Sequence, residues 1–480
     1  MSELRPTIGI ETHVQLATKS KLFCGCNNDA REAAPNTLVC PVCLGLPGTL
    51  PVLNQRAIEL AIRAGLALNG EIAKETKFDR KNYFYPDLPK GYQITQMDNP
   101  IVGKGKVEFM LDGKSVAVGI TRAHLEEDAG KLTHPDGADY SLVDLDRAGT
   151  PLLEVVSEPD MHTAAEAKGY AQEIYNLMRY AEVSAANLYY GNMRFDVNVS
   201  VAPQGELGTR TETKNLNSFK AVERAVEHEV KRQTELIGKG QKITQETRGW
   251  DEAKGQTFPQ RSKEEAHDYR YFPEPDLPPV VVTAAMKTAA GQDLVTPNIV
   301  RDKLAAFGLS SHQSEVLVAS PDLSKLFLGV ANIADGAGQI RVAGWLTGEV
   351  LRVLNAEPTL AETVFGPDRL STQSLIQLSD MVAANELSST AAKTVLEELM
   401  RNGGDPKGVA GRLNLTQVSD LDALEAIVDQ VIKDNAQIVT DFKNGNERAL
   451  QALVGQVMKA SKGQANPPKA RDILKAKLEA

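Results

Sequence analysis

What the chain lacks narrows its reading first. No run approaches the roughly 20 apolar residues that a membrane-spanning helix needs. The first residues carry neither the basic nor the apolar segment of a secretion signal. A cytoplasmic location is therefore expected. Aromatic residues make up only 5% of the 480 positions, yet 42% are hydrophobic, so two or more domains can each build a largely aliphatic core. No Gly-x-x-x-x-Gly-Lys-Ser/Thr loop occurs, and Gly103-Lys104-Gly105 is too short to stand in for one, so any nucleotide site lies outside the P-loop class. A formal charge of -10 excludes general attraction to nucleic acid as the main design of the molecule.

Cysteine is scarce and concentrated. All four cysteines fall in one short stretch, as Cys24-x-Cys26 and Cys40-x-x-Cys43. Disulfides are disfavoured in a reducing compartment, whereas two close thiolate pairs suit tetrahedral zinc. Gly25, Pro41 and Gly45 supply the turns such knuckles use. Four thiolates fill the coordination sphere, so the role would be structural. The alternative is two reduced pairs without metal.

The segment Ile8-Gly-Ile-Glu-Thr-His-Val-Gln-Leu16 alternates as a strand, turning Glu11 and His13 to one face and Ile8, Ile10 and Val14 to a core. A carboxylate and an imidazole at this spacing form half a metal site, or an ordinary polar face. Asn54 caps a helix with Ile58, Ala61, Gly65 and Leu68 on one side. Arg80-Lys81-Asn82-Tyr83-Phe84-Tyr85-Pro86 then mixes cations with aromatics, which suits either a nucleotide or a loop packed on its domain. A hairpin about Asp112-Gly113 leads into Thr121-Arg-Ala-His-Leu-Glu126-Glu127-Asp128. Consecutive carboxylates raise one another's pKa unless a cation relieves them, and magnesium prefers oxygen ligands.

Thr163-x-x-Glu166 is a capping box opening a helix with an apolar stripe from Ala167 to Ala181. Arg194 to Val201 alternates, with Arg194, Asp196, Asn198 and Ser200 opposite Phe195, Val197, Val199 and Val201. Thr211-Glu212-Thr213-Lys214 follows as a polar strand, and a helix runs from Ser218 to Ile237. Prolines hold Asp268-Tyr-Arg270-Tyr-Phe-Pro-Glu-Pro-Asp276 extended. The expected architecture is multidomain α+β: a sheet-based domain over 1–292, an all-helical domain over 297–402, and a small helical tail over 407–480 after the hinge Asn402-Gly-Gly-Asp-Pro406. The tail is basic locally, through Lys459, Lys462, Lys469, Arg471, Lys475 and Lys477.

Five long motifs taken in order resemble the B subunits of the aspartyl/glutamyl-tRNA(Asn/Gln) amidotransferases, the GatB family. They are Gly-Ile-Glu11-Thr-His13-Val-Gln-Leu, Phe78-Asp-Arg-Lys81-Asn-Tyr83-Phe-Tyr-Pro-Asp, His124-Leu-Glu-Glu127-Asp-Ala-Gly-Lys, Lys214-Asn-Leu-Asn-Ser-Phe and Asp268-Tyr-Arg270-Tyr-Phe-Pro-Glu-Pro-Asp. Gly455-Gln-Val-Met-Lys-Ala460 with Ala465-Asn466-Pro467 resembles that family's C-terminal signature.

The resemblance implies a cradle-like catalytic first domain and a ligase reaction. ATP phosphorylates the side-chain carboxylate of Glu-tRNA(Gln) or Asp-tRNA(Asn), and ammonia displaces phosphate to give the amide. It also implies a heterotrimer, in which an amidase-like partner, GatA, supplies ammonia through a channel and a small partner, GatC, joins the two. The C-terminal helical domains would bind tRNA. On this resemblance Glu11, His13, Glu126 and Glu127 are expected to hold Mg2+, and Cys24, Cys26, Cys40 and Cys43 structural Zn2+. Lys81 and Arg270 would contact phosphates, and Tyr83 would support the nucleotide. Asp196 and Glu212 join the catalytic set, while Asn198, Thr213 and Lys214 are expected along the ammonia path.

Two rivals remain. A non-catalytic zinc protein binding RNA through its tail leaves Glu11, His13 and the acidic run without a purpose. The archaeal-type relative, which pairs with an asparaginase-like partner, carries an inserted domain for which the short step after the Asp268 motif leaves no room.

Overall fold

The computed structural model describes residues 3–135, 137–262, 268–416, 421–461, 465 and 467–479. Lys462 and Asn466 of the expected tail motifs lie outside them. The chain divides into two compact units, 1–299 and 300–480, so the first reaches slightly beyond the expected boundary at 292. Among the described residues no helix is long and apolar enough to cross a membrane.

The first unit is built on an eleven-stranded sheet. Its strands are β1 (Leu4–Gln15), β2 (Asp79–Asn82), β3 (Tyr92–Thr95), β4 (Gly105–Leu111), β5 (Lys114–Glu127), β6 (Pro151–Ser157), β7 (Met193–Pro203), β8 (Thr211–Leu216), β9 (Glu246–Asp251), β10 (Gln256–Ser262) and β11 (Phe272–Pro273). Their spatial order is β10-β9-β8-β7-β1-β6-β5-β3-β2-β11, with β4 paired to β5. Among the described residues only β8 and β9 pair in parallel. The β4–β5 hairpin turns on Asp112 (φ 49°) and Gly113 (φ 76°), the two left-handed residues that a tight hairpin needs.

Alternation decides what each face does. Ile8, Ile10 and Val14 of β1 and Phe195, Val197 and Val199 of β7 enter one core. Helices α1 (Gln55–Ala67), α2 (Ala164–Tyr180) and α3 (Phe219–Gly238) contribute Ile58, Tyr170, Ile174, Val222 and Val226 to it. Asn54 and Thr163 cap α1 and α2 as the sequence suggests, Thr163 with a full capping box, and Ser218 caps α3. The apolar face is thereby spent on packing, and the opposite face carries the charges.

The second unit is helical. Helix Pro406–Arg412 packs on Thr372–Ala383 and Ser389–Asn402, tied by Gln377 Nε2 to Asp405 Oδ1 at 2.7 Å and Arg412 to Glu398 at 2.9 Å. The helices from Leu421–Asp434 to Pro467–Glu479 share a separate core of Leu424, Val428, Leu453, Val457 and Leu474. The change of core thus falls after residue 412, not at the anticipated hinge over 402–406, because Val409 and Ala410 bury their side chains.

Candidate active site on the charged sheet face

Residues directly opposite one another in an antiparallel pair share a face. The register therefore lines up Arg194 of β7, His13 of β1, Glu154 of β6 and His124 of β5 in one row across four strands. Glu126, two residues beyond His124, joins them. His13 Nε2 lies 3.4 Å from Glu154 Oε2; His124 Nε2 lies 3.7 Å from Glu126 Oε2 and 3.9 Å from Glu154 Oε2. His13, Glu126 and Glu154 each offer a ligand atom, all within 4.8 Å of one another.

The charges of this group are strongly coupled. Burial pushes the carboxyls of Glu154 and Glu126 up, but the neighbouring histidines and Lys81 prevail and hold both below the ordinary range. His13 is raised: burial opposes its charge, and its hydrogen bond to Glu154 outweighs that. Lys81 on β2 is also raised, because Glu126 and Glu154 overcome the cost of its burial. Its ammonium lies 5.0 Å from the Tyr269 ring and 5.9 Å from the Tyr83 ring. Thr95 Oγ1 donates to Glu126 Oε2 at 3.1 Å. The Nδ1 atoms of His13 and His124 are buried without a partner among the described residues.

A second group lies along the same face. Glu11 Oε1 accepts from Asn198 Nδ2 at 3.2 Å. Lys214 Nζ stands 3.6 Å from Asp196 and 3.5 Å from Glu212. Burial first, then the charges of Glu154, Glu212 and Asp196, raise the pKa of Glu11. Beside it a cavity of about 290 Å³ is lined by Thr7, Glu11, Ser157, Asn198, Ser200 and Arg210. Asn198 Oδ1 is buried there without a partner among the described residues. Thr213, by contrast, lies on the opposite side of β8, its neighbour Thr211 donating to Glu229 of α3 at 2.8 Å.

Not every expected residue is brought here. Glu127 turns to the other side of β5, where it accepts from Ile94 N at 2.9 Å and pairs with Lys90. Asp128 is bound by Arg194 at 3.2 Å and Arg147 at 3.6 Å. Burial raises the Asp128 carboxyl, but these two charges prevail and bring it to about 2. Arg270 has an exposed side chain, and its carbonyl accepts from Asn82 Nδ2 at 2.8 Å, next to Lys81. Sequence reasoning missed Glu154, a single acid in the apolar run Pro151-Leu-Leu-Glu-Val-Val-Ser157. A lone acid in an apolar strand was the available signal.

The cysteines converge. Sγ of Cys43 lies 3.3 Å from Cys24, 3.6 Å from Cys40 and 3.7 Å from Cys26. Tetrahedral zinc with bonds of about 2.3 Å spaces its sulfurs about 3.8 Å apart, so the set fits. The fully buried Lys21 places its ammonium 3.7 Å from Cys43 Sγ. A hydrogen bond from Cys24, helped by Lys21, brings the Cys43 thiol down to about 4, whereas burial pushes Cys26 up to about 11. Thiolate character beside a lysine is the chemistry a cation-binding knuckle uses.

A charged sheet face that gathers imidazoles, clustered carboxylates and a largely buried lysine with shifted pKa values is the arrangement of a candidate enzyme site. Residues 6–288 match the family model of the GatB/GatE catalytic domain, and residues 330–478 match that of the GatB domain. The curated B subunit of the aspartyl/glutamyl-tRNA(Asn/Gln) amidotransferase from a Thermoanaerobacter species is 48% identical over 475 residues, 98% of each chain. Those of Carboxydothermus hydrogenoformans and Brevibacillus brevis are 45% and 44% identical, covering 100% of this chain and 99% of theirs. The chain belongs to the GatB family, the B subunits of tRNA-dependent amidotransferases.

Proposed function

We propose that this chain activates the side-chain carboxylate of Glu-tRNA(Gln) or Asp-tRNA(Asn) by phosphorylation with ATP and then directs ammonia onto it, as the ligase component of a complex. The observation that carries this reading is the group His13, Glu126 and Glu154 beside Lys81. A carboxylate is a poor electrophile because oxide leaves badly; phosphorylation supplies a good leaving group. Phosphoryl transfer asks the protein chiefly for positioning and for charge to offset the phosphate oxygens.

His13, Glu126 and Glu154 would hold a divalent cation, since a buried imidazole and two carboxylates aim donors at one point. Bound Mg2+ would neutralise developing phosphate charge. Lys81, kept protonated by Glu126, would hold the γ-phosphate from the opposite side. Tyr83 and Tyr269 screen that ammonium from water and offer edges against which a nucleotide packs, and Arg270 would close over the phosphates.

Ammonia would arrive along the Glu11, Asn198 and Lys214 side of the face, where Asp196 and Glu212 outweigh partial desolvation and raise the pKa of the half-exposed Lys214 ammonium. The cavity beside Glu11 supports that route. The amidase partner GatA and the small partner GatC would complete the assembly in the cytoplasm, and the basic tail would meet tRNA. Zinc at the four cysteines would be structural.

The testing experiment mixes the purified complex with ATP, glutamine and each mischarged tRNA and identifies the amino acid released afterwards. Glutamine or asparagine appearing only with ATP supports the reading; unchanged glutamate and aspartate would refute it.

A further inference from the structure

We propose that Lys90 is a positioning residue through which the cysteine knuckle sets the geometry of the cation group on the charged face. The inference rests on the reading of that group given above. Glu127 is buried directly behind Glu126, with its carboxylate paired to Lys90 and bonded to Ile94 N, and its carbonyl bonded to Gln93 Nε2 at 2.7 Å. Glu126 and Glu127 are consecutive on one strand, so a shift of one is passed to the other, and Lys90 is the cation paired with the Glu127 carboxylate.

Lys90 is in turn gripped by both arms of the knuckle. Its ammonium lies 5.9 Å from the ring of Phe23, the residue before Cys24, and 5.4 Å from that of Tyr92. On the other arm Gly45, two residues after Cys43, sits so close that a Cβ there would stand 3.0 Å from Lys90 Cα and 2.5 Å from its Cγ. Gly45 also has φ +63°, so glycine meets both demands at once. Lys90 ends the loop that returns from Lys81 to β3, where Lys81 pairs with Gln93. Knuckle, loop, Glu127 and Glu126 form one contiguous packed path. A buried carboxylate that loses its paired lysine is costly, and the backbone relaxes to reach water or another donor.

The test uses the full chain and Mn2+ as the probe, titrated by electron paramagnetic resonance, with amide exchange over 83–95 as a second readout. Lys90→Met and the knuckle variant Cys43→Ser should each weaken Mn2+ binding roughly tenfold, the size seen for supports of metal ligands. Each should also speed exchange over 83–95. The double variant should be no weaker than either single one, because both act on one path. Lys90→Arg should restore most of the affinity. Gly45→Ala, which displaces Lys90 without removing its charge, should weaken Mn2+ binding while zinc content stays at one per chain. Unchanged Mn2+ affinity and exchange in Lys90→Met, or losses that multiply in the double variant, would overturn the proposal. If Glu126→Gln leaves wild-type Mn2+ binding intact, the cation reading itself fails; the exchange measurement still decides the coupling, which unaltered exchange in Cys43→Ser would refute.

Discussion

Glu126 and Glu127 are consecutive on β5 and point to opposite sides of the sheet: Glu126 joins His124 and Glu154 on the charged face, while Glu127 turns behind it to Lys90. Two adjacent carboxylates, indistinguishable by composition, are thus given different work by the twofold period of a strand. In the proposed site Glu126 belongs to the cation group, and Glu127 stands behind it paired with Lys90.

Replacing Glu154 with Gln separates these roles from the cation side. Divalent-ion binding and ATP-dependent amidation should fall by at least about a hundredfold, as for loss of a group that stabilises transition-state charge, while tRNA affinity is unchanged. Isothermal titration with Mg2+ and a filter-binding assay with tRNA give the two answers.

Lys81→Met should lower the rate constant for phosphorylation more than it raises the KM for ATP, since the lysine meets charge that grows in the transition state. A loss of about a hundredfold or more in kcat is expected. An effect confined to KM would assign Lys81 to ground-state binding only.

The faces of β1 and β7 were legible in the sequence, and so were the caps at Asn54 and Thr163 and the turn at Asp112-Gly113. All depend on local periodicity or local backbone chemistry. Glu154 was not legible, because its partnership with His13 and His124 is a matter of which strands are neighbours and in what register. The direction of Glu127 follows from alternation, but an acidic run taken as one unit hides it. Lys90 and Lys21 are ordinary lysines until distant segments bury them against Glu127 and Cys43. The end of the helical core was misplaced because Gly403-Gly404-Asp405-Pro406 looks like a hinge, whereas Asp405 caps the next helix and keeps it packed.

Zinc content offers an independent check on the knuckle. Purified full chain should carry one zinc per molecule, and Cys40→Ser should lose it and lower the melting temperature. Elemental analysis beside calorimetry measures both. Structural zinc contributes folding energy directly, so apoprotein of equal stability would contradict the assignment.

Acid stability should report on Glu229. Buried on α3 against the sheet, it accepts from Arg232 at 2.8 Å and Thr211 at 2.8 Å and forms an ion pair with Arg248 at 3.0 Å. Burial raises its carboxyl, but these hydrogen bonds and charges bring it from 4.5 to about 2. A depressed carboxyl contributes stability that is full above its unfolded value and fades as pH falls through the folded one. Wild type should therefore lose on the order of 2–3 kcal/mol between about pH 5 and pH 2 through this group. Urea denaturation across that range should show a shallower acid limb in Glu229→Gln.

The tail can be removed at the place the packing indicates. Truncation after residue 416 leaves helix Pro406–Arg412 on its partners and removes the helices that share the Leu424–Leu474 core. Affinity for tRNA should drop at least about tenfold, with a reduced salt dependence, and glutamine hydrolysis by the amidase partner should persist. A gel-shift series at several salt concentrations measures this.

The most direct measurement supplies ammonium chloride in place of glutamine and follows tRNA-dependent release of ADP by the complex carrying wild type or Glu154→Gln. Wild type should release ADP and form the amide, while the variant should do neither yet still bind mischarged tRNA and still hydrolyse glutamine. Amide formation by the variant at a rate near that of wild type would contradict the placement of carboxylate activation at His13, Glu126 and Glu154.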